Sequence, residues 1–124
     1  MLTRGQIIFR VIFFVWLAAV IWGSLINGTE MTSLENVFPL LASKAIRHFT
    51  AYSGLAIFSM LAFERWRGIA VALSMILLGI LIEAAQHLSP GRTPAIVDAV
   101  VNAFGVCSGI LLVTATRLSR LRRS

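Results

Sequence analysis

Residues 68–116 read GIAVALSMILLGILIEAAQHL, then SPGRTP, then AIVDAVVNAFGVCSGILLVTAT, which makes two long apolar runs separated by six residues. Each run has the roughly 20 residues that a straight helix needs to cross the hydrocarbon core of a bilayer. Pro90 and Gly91 end the first run, Thr93 suits the N-cap of the second, and Pro94 suits its first turn. The segment therefore predicts a tight hairpin of two antiparallel membrane-spanning helices.

The composition of the whole chain agrees with this prediction. Of its 124 residues 58% are hydrophobic and 13% are charged, and the mean hydropathy is +0.88. A soluble domain of this length could not bury so much apolar surface. Two further apolar segments precede the hairpin, so we predict an all-α fold: a four-helix transmembrane bundle forming a single domain over residues 1–124. Its helices are expected at about 7–26, 46–63, 68–88 and 95–116.

Basic residues predict the orientation of this bundle, because Lys and Arg are enriched in cytoplasmic segments. With the N-terminus inside, eight of the eleven basic residues are cytoplasmic and three are outside. We expect an N-in, C-in, multi-pass protein of the plasma (inner) membrane. Its outer connections are a long one over 27–43 and a tight one over 89–94. The net charge of +6 lies beside apolar spans. We therefore expect Arg117–Arg123 to contact anionic lipid headgroups, and we expect no nucleic-acid binding.

Polar residues within the predicted spans gather near their outer ends. Charged side chains in a span are costly and usually face a protein interior or a cavity. At 1.5 Å per residue, Glu83 lies about 9 Å and Asn102 about 12 Å along their helices from the outer turn. On the second helix, His48 and Tyr52 lie about 6 and 12 Å inward from Lys44. Three helices thus carry polar groups at similar depth in the outer leaflet, whereas their inner halves are apolar. We expect the polar site to face the extracytoplasmic side.

The same polar residues share helix faces. Two helices carry them in stripes, with Lys44, His48 and Tyr52 on one, and Asp98, Asn102, Gly105 and Gly109 on the other. The two glycines form a small-xxx-small pattern, which serves helix packing and turns this face toward a neighbouring helix. A purely structural interpretation stays open, in which Glu83 with Arg92 and Asp98 with Lys44 are ion pairs that only fix packing. Asn102 could likewise only hydrogen-bond a neighbouring helix.

The chain resembles the VanZ-like family, small membrane proteins named for a teicoplanin-resistance protein. The longer motif is Glu83-x-x-Gln86-x-x-x-Pro90-Gly91-Arg92-x-x-x-x-x-Asp98-x-x-x-Asn102-x-x-Gly105-x-x-x-Gly109, and the shorter is His48-Phe49-x-x-Tyr52. The resemblance covers most of the chain from Lys44 to Gly109, although Lys44 lies four residues before His48 where the family usually has three. It implies a multi-pass membrane protein. For the named member it also implies reduced susceptibility to a lipoglycopeptide antibiotic.

Two functions stay open for the polar residues. The protein could bind the polar head of a lipid or other amphiphilic cell-envelope molecule; the expected binding residues are Lys44, Tyr52, Gln86, Arg92 and Asn102. It could instead be a membrane-embedded hydrolase or transferase acting on a lipid-linked substrate. The candidate acid/base residues for that chemistry are Glu83, Asp98 and His48.

We expect neither a cofactor nor a metal ion. A metal site would have to use Glu83, His87, His48 and Asp98, and His87 has no counterpart in the family pattern. Transport of protons or small solutes is disfavoured, because the apolar inner halves of the spans offer no polar path across the membrane.

Overall fold

The computed structural model describes residues 2–26, 28–63, 67–87 and 96–122, and this part of the chain is helical without a β-strand. The all-α prediction is confirmed. In chain order the helices are α1 (Arg4–Leu25), α2 (Gly28–Val37), a 3₁₀ helix (Pro39–Ala42), α3 (Lys44–Ala62), α4 (Gly68–His87) and α5 (Ile96–Leu121). Three of them, α1, α4 and α5, are long and apolar enough to cross a membrane.

α1 begins before its predicted start at residue 7, and α5 ends after its predicted end at residue 116. α1 begins at Arg4 because Thr3 and Gln6 form a capping box, in which each side chain accepts a hydrogen bond from the other residue's backbone N–H. α5 continues to Leu121, five residues past the predicted end at 116, since arginine and leucine favour helix and no breaker intervenes. The predicted hairpin turn at 89–94 lies outside the described residues.

The connection predicted over 27–43 is not an irregular loop, because it contains α2 and the 3₁₀ helix. A short polar helix such as α2 has little stability of its own. It is tied to the first turn of α3 by an ion pair between Glu35 Oε1 and Arg47 Nη1, 2.5 Å apart. This contact joins residues that no sequence pattern connects, so the helix was not predicted.

Helix α3 is the most buried element and packs against α1 on one side and α5 on the other. Its buried residues are Tyr52, Leu55, Ala56, Ser59, Met60 and Ala62. α3 is not among the helices that are apolar enough to span a membrane by composition, because its first turn carries Lys44, Arg47 and His48. At this polar end the Arg47 and His48 side chains are partly buried, whereas Lys44 is exposed.

Glycines allow α3 and α5 to come into close contact. A Cβ atom at Gly105 would lie 2.6 Å from the carbonyl oxygen of Phe49, and one at Gly109 would lie 2.7 Å from that of Ser53. Real Cβ atoms essentially never approach so closely. The small-xxx-small face of α5 thus rests directly on the α3 backbone, in the manner of glycine-mediated helix pairs in membranes.

The opposite side of α3 meets α1 in a similar way. The Trp16 indole Nε1–H donates to the carbonyl oxygen of Ala51 at 3.0 Å. A Cβ at Gly54 would lie 2.6 Å from this nitrogen, so glycine leaves room for the indole ring. α3 is therefore held between a tryptophan on one side and two glycines on the other.

Two arginines bind the carboxyl end of α3. Arg10 of α1 donates to the carbonyl oxygen of Ala62 at 3.3 Å, and Arg117 of α5 donates to that of Met60 at 2.5 Å. Cations at this end interact favourably with the helix dipole and satisfy carbonyl groups that the helix leaves unpaired. These contacts make α3 antiparallel to α1 and parallel to α5, so the first and last helices place the chain ends at the same end of the molecule.

Candidate functional site

A cavity of about 120 Å³, here called the polar cavity, lies between α4 and α5, and α3 forms its floor. It sits where α4 ends and α5 begins, at the end of α3 remote from the two arginines. Six of the eight residues predicted for catalysis or binding line it: His48, Tyr52, Glu83, Gln86, Asp98 and Asn102. The structure therefore brings together side chains from three helices that the sequence separates by up to 54 positions.

A ladder of two polar pairs joins α3 to α5 beside this cavity. Lys44 Nζ lies 2.5 Å from Asp98 Oδ2, and His48 Nδ1 lies 3.0 Å from Asn102 Oδ1 one helical turn deeper. The side chain of Lys44 is 53% exposed and that of Asp98 only 18%. Asp98 lines the cavity wall and the half-exposed ammonium group lies beside it, so we call this end of the cavity its mouth.

The pairing of His48 with Asn102 orients the imidazole ring. An amide oxygen can only accept a hydrogen bond, so Nδ1 carries the hydrogen in this arrangement. In a neutral imidazole the remaining nitrogen, Nε2, then has a free lone pair and can accept a proton. This arrangement could serve either as a hydrogen-bond acceptor for a ligand or as a general base.

Tyr52 and Glu83 both line the interior of the cavity. Tyr52 is 4% exposed, and a Cβ at Gly79 would lie 3.3 Å from its hydroxyl oxygen. A larger residue at position 79 would therefore push against the phenol. Glu83, one helical turn further along the same face of α4, is half-buried in the cavity wall.

Helix α1 also contributes to the cavity, which the sequence interpretation missed. Gln86 Nε2 donates to the backbone carbonyl oxygen of Ser24 at 2.7 Å, and Ser24 lines the cavity. In the sequence, α1 matched the family only as an apolar span. The acceptor is a backbone carbonyl, which every residue has, so no residue type in the sequence indicated this contact.

The remaining predicted residues have different outcomes. Lys44 does not line the cavity but binds Asp98, which does. Arg92, and with it the predicted Glu83–Arg92 pair, lies outside the described residues, as does the side chain of His87. Within the described ranges no three His, Cys, Asp or Glu side chains lie close enough to hold a metal ion.

Comparison with known proteins identifies the family. No curated protein and no solved structure gives a significant match to the chain. The sequence profile of one family, VanZ/LLP1, matches residues 3–118. This range covers nearly all of the chain and includes every residue of the polar cavity. The VanZ-like resemblance is thereby confirmed, and with three helices apolar enough to span a bilayer the protein is a membrane protein that belongs to the VanZ/LLP1 family.

Proposed function

We propose that the polar cavity binds the polar head of an amphiphilic cell-envelope molecule. The observation that carries this proposal is the convergence of acidic, amide, imidazole and phenol groups on one cavity within otherwise apolar helices. Such groups are costly in a membrane protein unless they have a partner or a function. Convergent polar groups in an apolar concave site are typical of small-molecule binding sites.

The head-binding groups are Lys44, Tyr52, Gln86, Arg92 and Asn102. Lys44 stands at the mouth, where its half-exposed ammonium can exchange Asp98 for an anionic group of a ligand. The amide and phenol groups inside offer both donors and acceptors, so they suit a head with several polar atoms. The apolar surfaces of the surrounding helices accommodate the rest of an amphiphile.

The cavity faces the extracytoplasmic side of the plasma membrane, with four helices, α1, α3, α4 and α5, crossing the bilayer. Two observations support this topology. The sequence assigns eight of eleven basic residues to the side of the chain ends, and Arg10 and Arg117 lie at the same end of α3 in the structure. Exposed arginines at 120 and 122 contact anionic lipid headgroups on the cytoplasmic side.

The family association suggests that the protein lowers susceptibility to a teicoplanin-type lipoglycopeptide antibiotic. The test is expression of the protein in a teicoplanin-susceptible bacterium, followed by measurement of the minimal inhibitory concentration. Glu83→Gln and Lys44→Gln are expected to lower protection, because the first removes a charged group of the cavity and the second removes the ammonium group that binds the anionic part of the ligand. Glu30→Gln is the matched control, since Glu30 is an exposed carboxylate of α2 outside the cavity. Equal protection by all variants would refute the role of the cavity.

An acid/base enzyme is the second candidate, and the His48–Asn102 hydrogen bond favours it. A histidine with Nδ1 held by an acceptor and Nε2 free is arranged as a general base, and Glu83 or Asp98 supplies a second proton-transfer group. Purified protein in nanodiscs would be incubated with a radiolabelled lipid-linked envelope precursor. Product formation that His48→Gln abolishes supports catalysis. Binding of the precursor at one equivalent without any product favours the binding protein.

A further inference from the structure

The polar cavity continues sideways into an apolar cleft between α4 and α5. Both helices contribute stripes of residues spaced by three or four positions, so one face of each borders the same space. Ile76 and Ile80 of α4 and Ala99 and Ala103 of α5 line the cavity and are also exposed. We call these four residues the rim. These residues line the cavity and are also part of the protein surface. The cavity therefore opens to the surface between α4 and α5.

Loose packing of α4 explains the cleft. α3 and α5 are in contact from Lys44–Asp98 at one end to Met60–Arg117 at the other. α4 makes only sparse contacts with α1, α3 and α5 in the described part of the chain. Both walls of the cleft are helices apolar enough to span a membrane. The rim is therefore in contact with lipid rather than with water.

Polarity changes along the cleft. Glu83 and Asp98 line the end near the mouth, and Met75 and Val106 line the other end. On α4, Glu83 and Met75 are eight residues apart, and on α5 so are Asp98 and Val106. Eight residues span about 12 Å at 1.5 Å per residue. A ligand in this space thus meets charged groups with one end and only apolar groups with the other.

The volume of the cavity limits what it can enclose. At about 120 Å³ it is close to the ~150 Å³ apolar cavity that holds benzene in another protein. A small polar head fits such a space, but an acyl or prenyl chain does not. The chain of a bound amphiphile must therefore leave the cavity, and the rim is where the lining reaches the lipid-facing surface.

We propose that the α4–α5 cleft is a lateral portal through which the ligand, a lipid with a small polar head, enters from the bilayer and keeps its apolar chain between α4 and α5. This inference rests on the proposed function and adds the route and the class of ligand. The alanines at 99 and 103 leave room for the chain beside the isoleucines of α4. The head lies at the polar end, within reach of His48 and Asn102.

The test uses phosphatidylglycerol carrying a diazirine in one acyl chain, reconstituted with the purified protein in nanodiscs. After illumination, labelled residues are identified by peptide mass spectrometry. We expect labelling of the rim above that of other lipid-facing positions. Ala99→Leu with Ala103→Leu should reduce rim labelling about tenfold, the change that about 1.4 kcal/mol of lost binding produces. Ser108→Leu is the control, an exposed position of α5 outside the cavity.

A second variant tests the portal in case Ala99→Leu with Ala103→Leu fails to fold. Ile80→Ala shortens one side chain of the rim and so widens the opening between α4 and α5. We expect it to increase labelling of the rim. Uniform labelling of all lipid-facing positions, or no response to any rim variant, would overturn the portal. The proposed function fails separately, in the susceptibility assay with Glu83→Gln and Lys44→Gln, because those variants leave the rim intact.

Discussion

Replacing Gly105 by alanine tests the close approach of α5 to α3. The new Cβ would lie 2.6 Å from the Phe49 carbonyl oxygen and 3.1 Å from the Ser53 nitrogen, whereas ordinary contact begins at 3.4 Å. Both neighbours are backbone atoms, so one helix must move. Overpacking of this kind costs about 1–3 kcal/mol, and the better helix propensity of alanine offsets about 1 kcal/mol of it. Because the contact is with rigid backbone, the cost lies in the upper part of that range, at about 2–3 kcal/mol, and the expected net loss is about 1–2 kcal/mol.

The measurement is the thermal unfolding of the purified protein in detergent. A loss of this size lowers Tm by roughly 4–8 °C, at roughly 4 °C per kcal/mol for a chain of this length. Gly23→Ala is the matched control, because no atom lies within 4 Å of the position its Cβ would take. It should leave Tm unchanged or raise it slightly. If Gly105→Ala behaves like Gly23→Ala, the two helices do not touch at this glycine.

Three further contacts can be tested by the same measurement. In a double-mutant cycle, Lys44→Gln and Asp98→Asn should show a coupling of about 0.2–1 kcal/mol, small because Lys44 is half exposed and screened by solvent; strictly additive effects would contradict the pair. Trp16→Phe keeps an aromatic ring but loses the hydrogen bond to α3, so we expect about 0.5–1.5 kcal/mol of destabilisation, against none for the exposed control Trp22→Phe. Arg117→Gln should cost about 1.5–3 kcal/mol because it removes a charged donor to the end of α3. A loss no greater than that caused by the exposed arginines of the same tail would refute this role.

The apolar helices could be predicted because the relevant physics is local. Runs of about 20 apolar residues leave few alternatives to a membrane-spanning helix, and α1, α4 and α5 lie where the runs predicted them. The relative positions of the polar residues could also be predicted. The rise of 1.5 Å per residue gives their depth along a helix, and a spacing of four residues places them on the same helix face. Six of the residues selected in this way line one cavity, while their chemical roles remain predictions.

Other features could not be predicted, because they depend on contacts between distant residues. α2 is tied to α3 by the ion pair between Glu35 and Arg47, and its own sequence has a stripe of only three apolar residues, which is too short to predict a packed helix. The contribution of Ser24 comes from its backbone carbonyl, which every residue has. The Trp16 hydrogen bond likewise ends on a backbone oxygen, so no residue type at the acceptor position indicates it.

The two arginines at the carboxyl end of α3 bear on how the chain is assembled during synthesis. Arg10 is made before α3, whereas Arg117 emerges from the ribosome 57 residues after Met60, whose carbonyl oxygen it binds. Until then α3, the least apolar of the long helices, lacks both its glycine-lined neighbour and one of its two terminal cations. The packing of α3 is therefore completed only after the last helix has been synthesised, so truncations that end before residue 117 should make the shortened chains more sensitive to proteolysis.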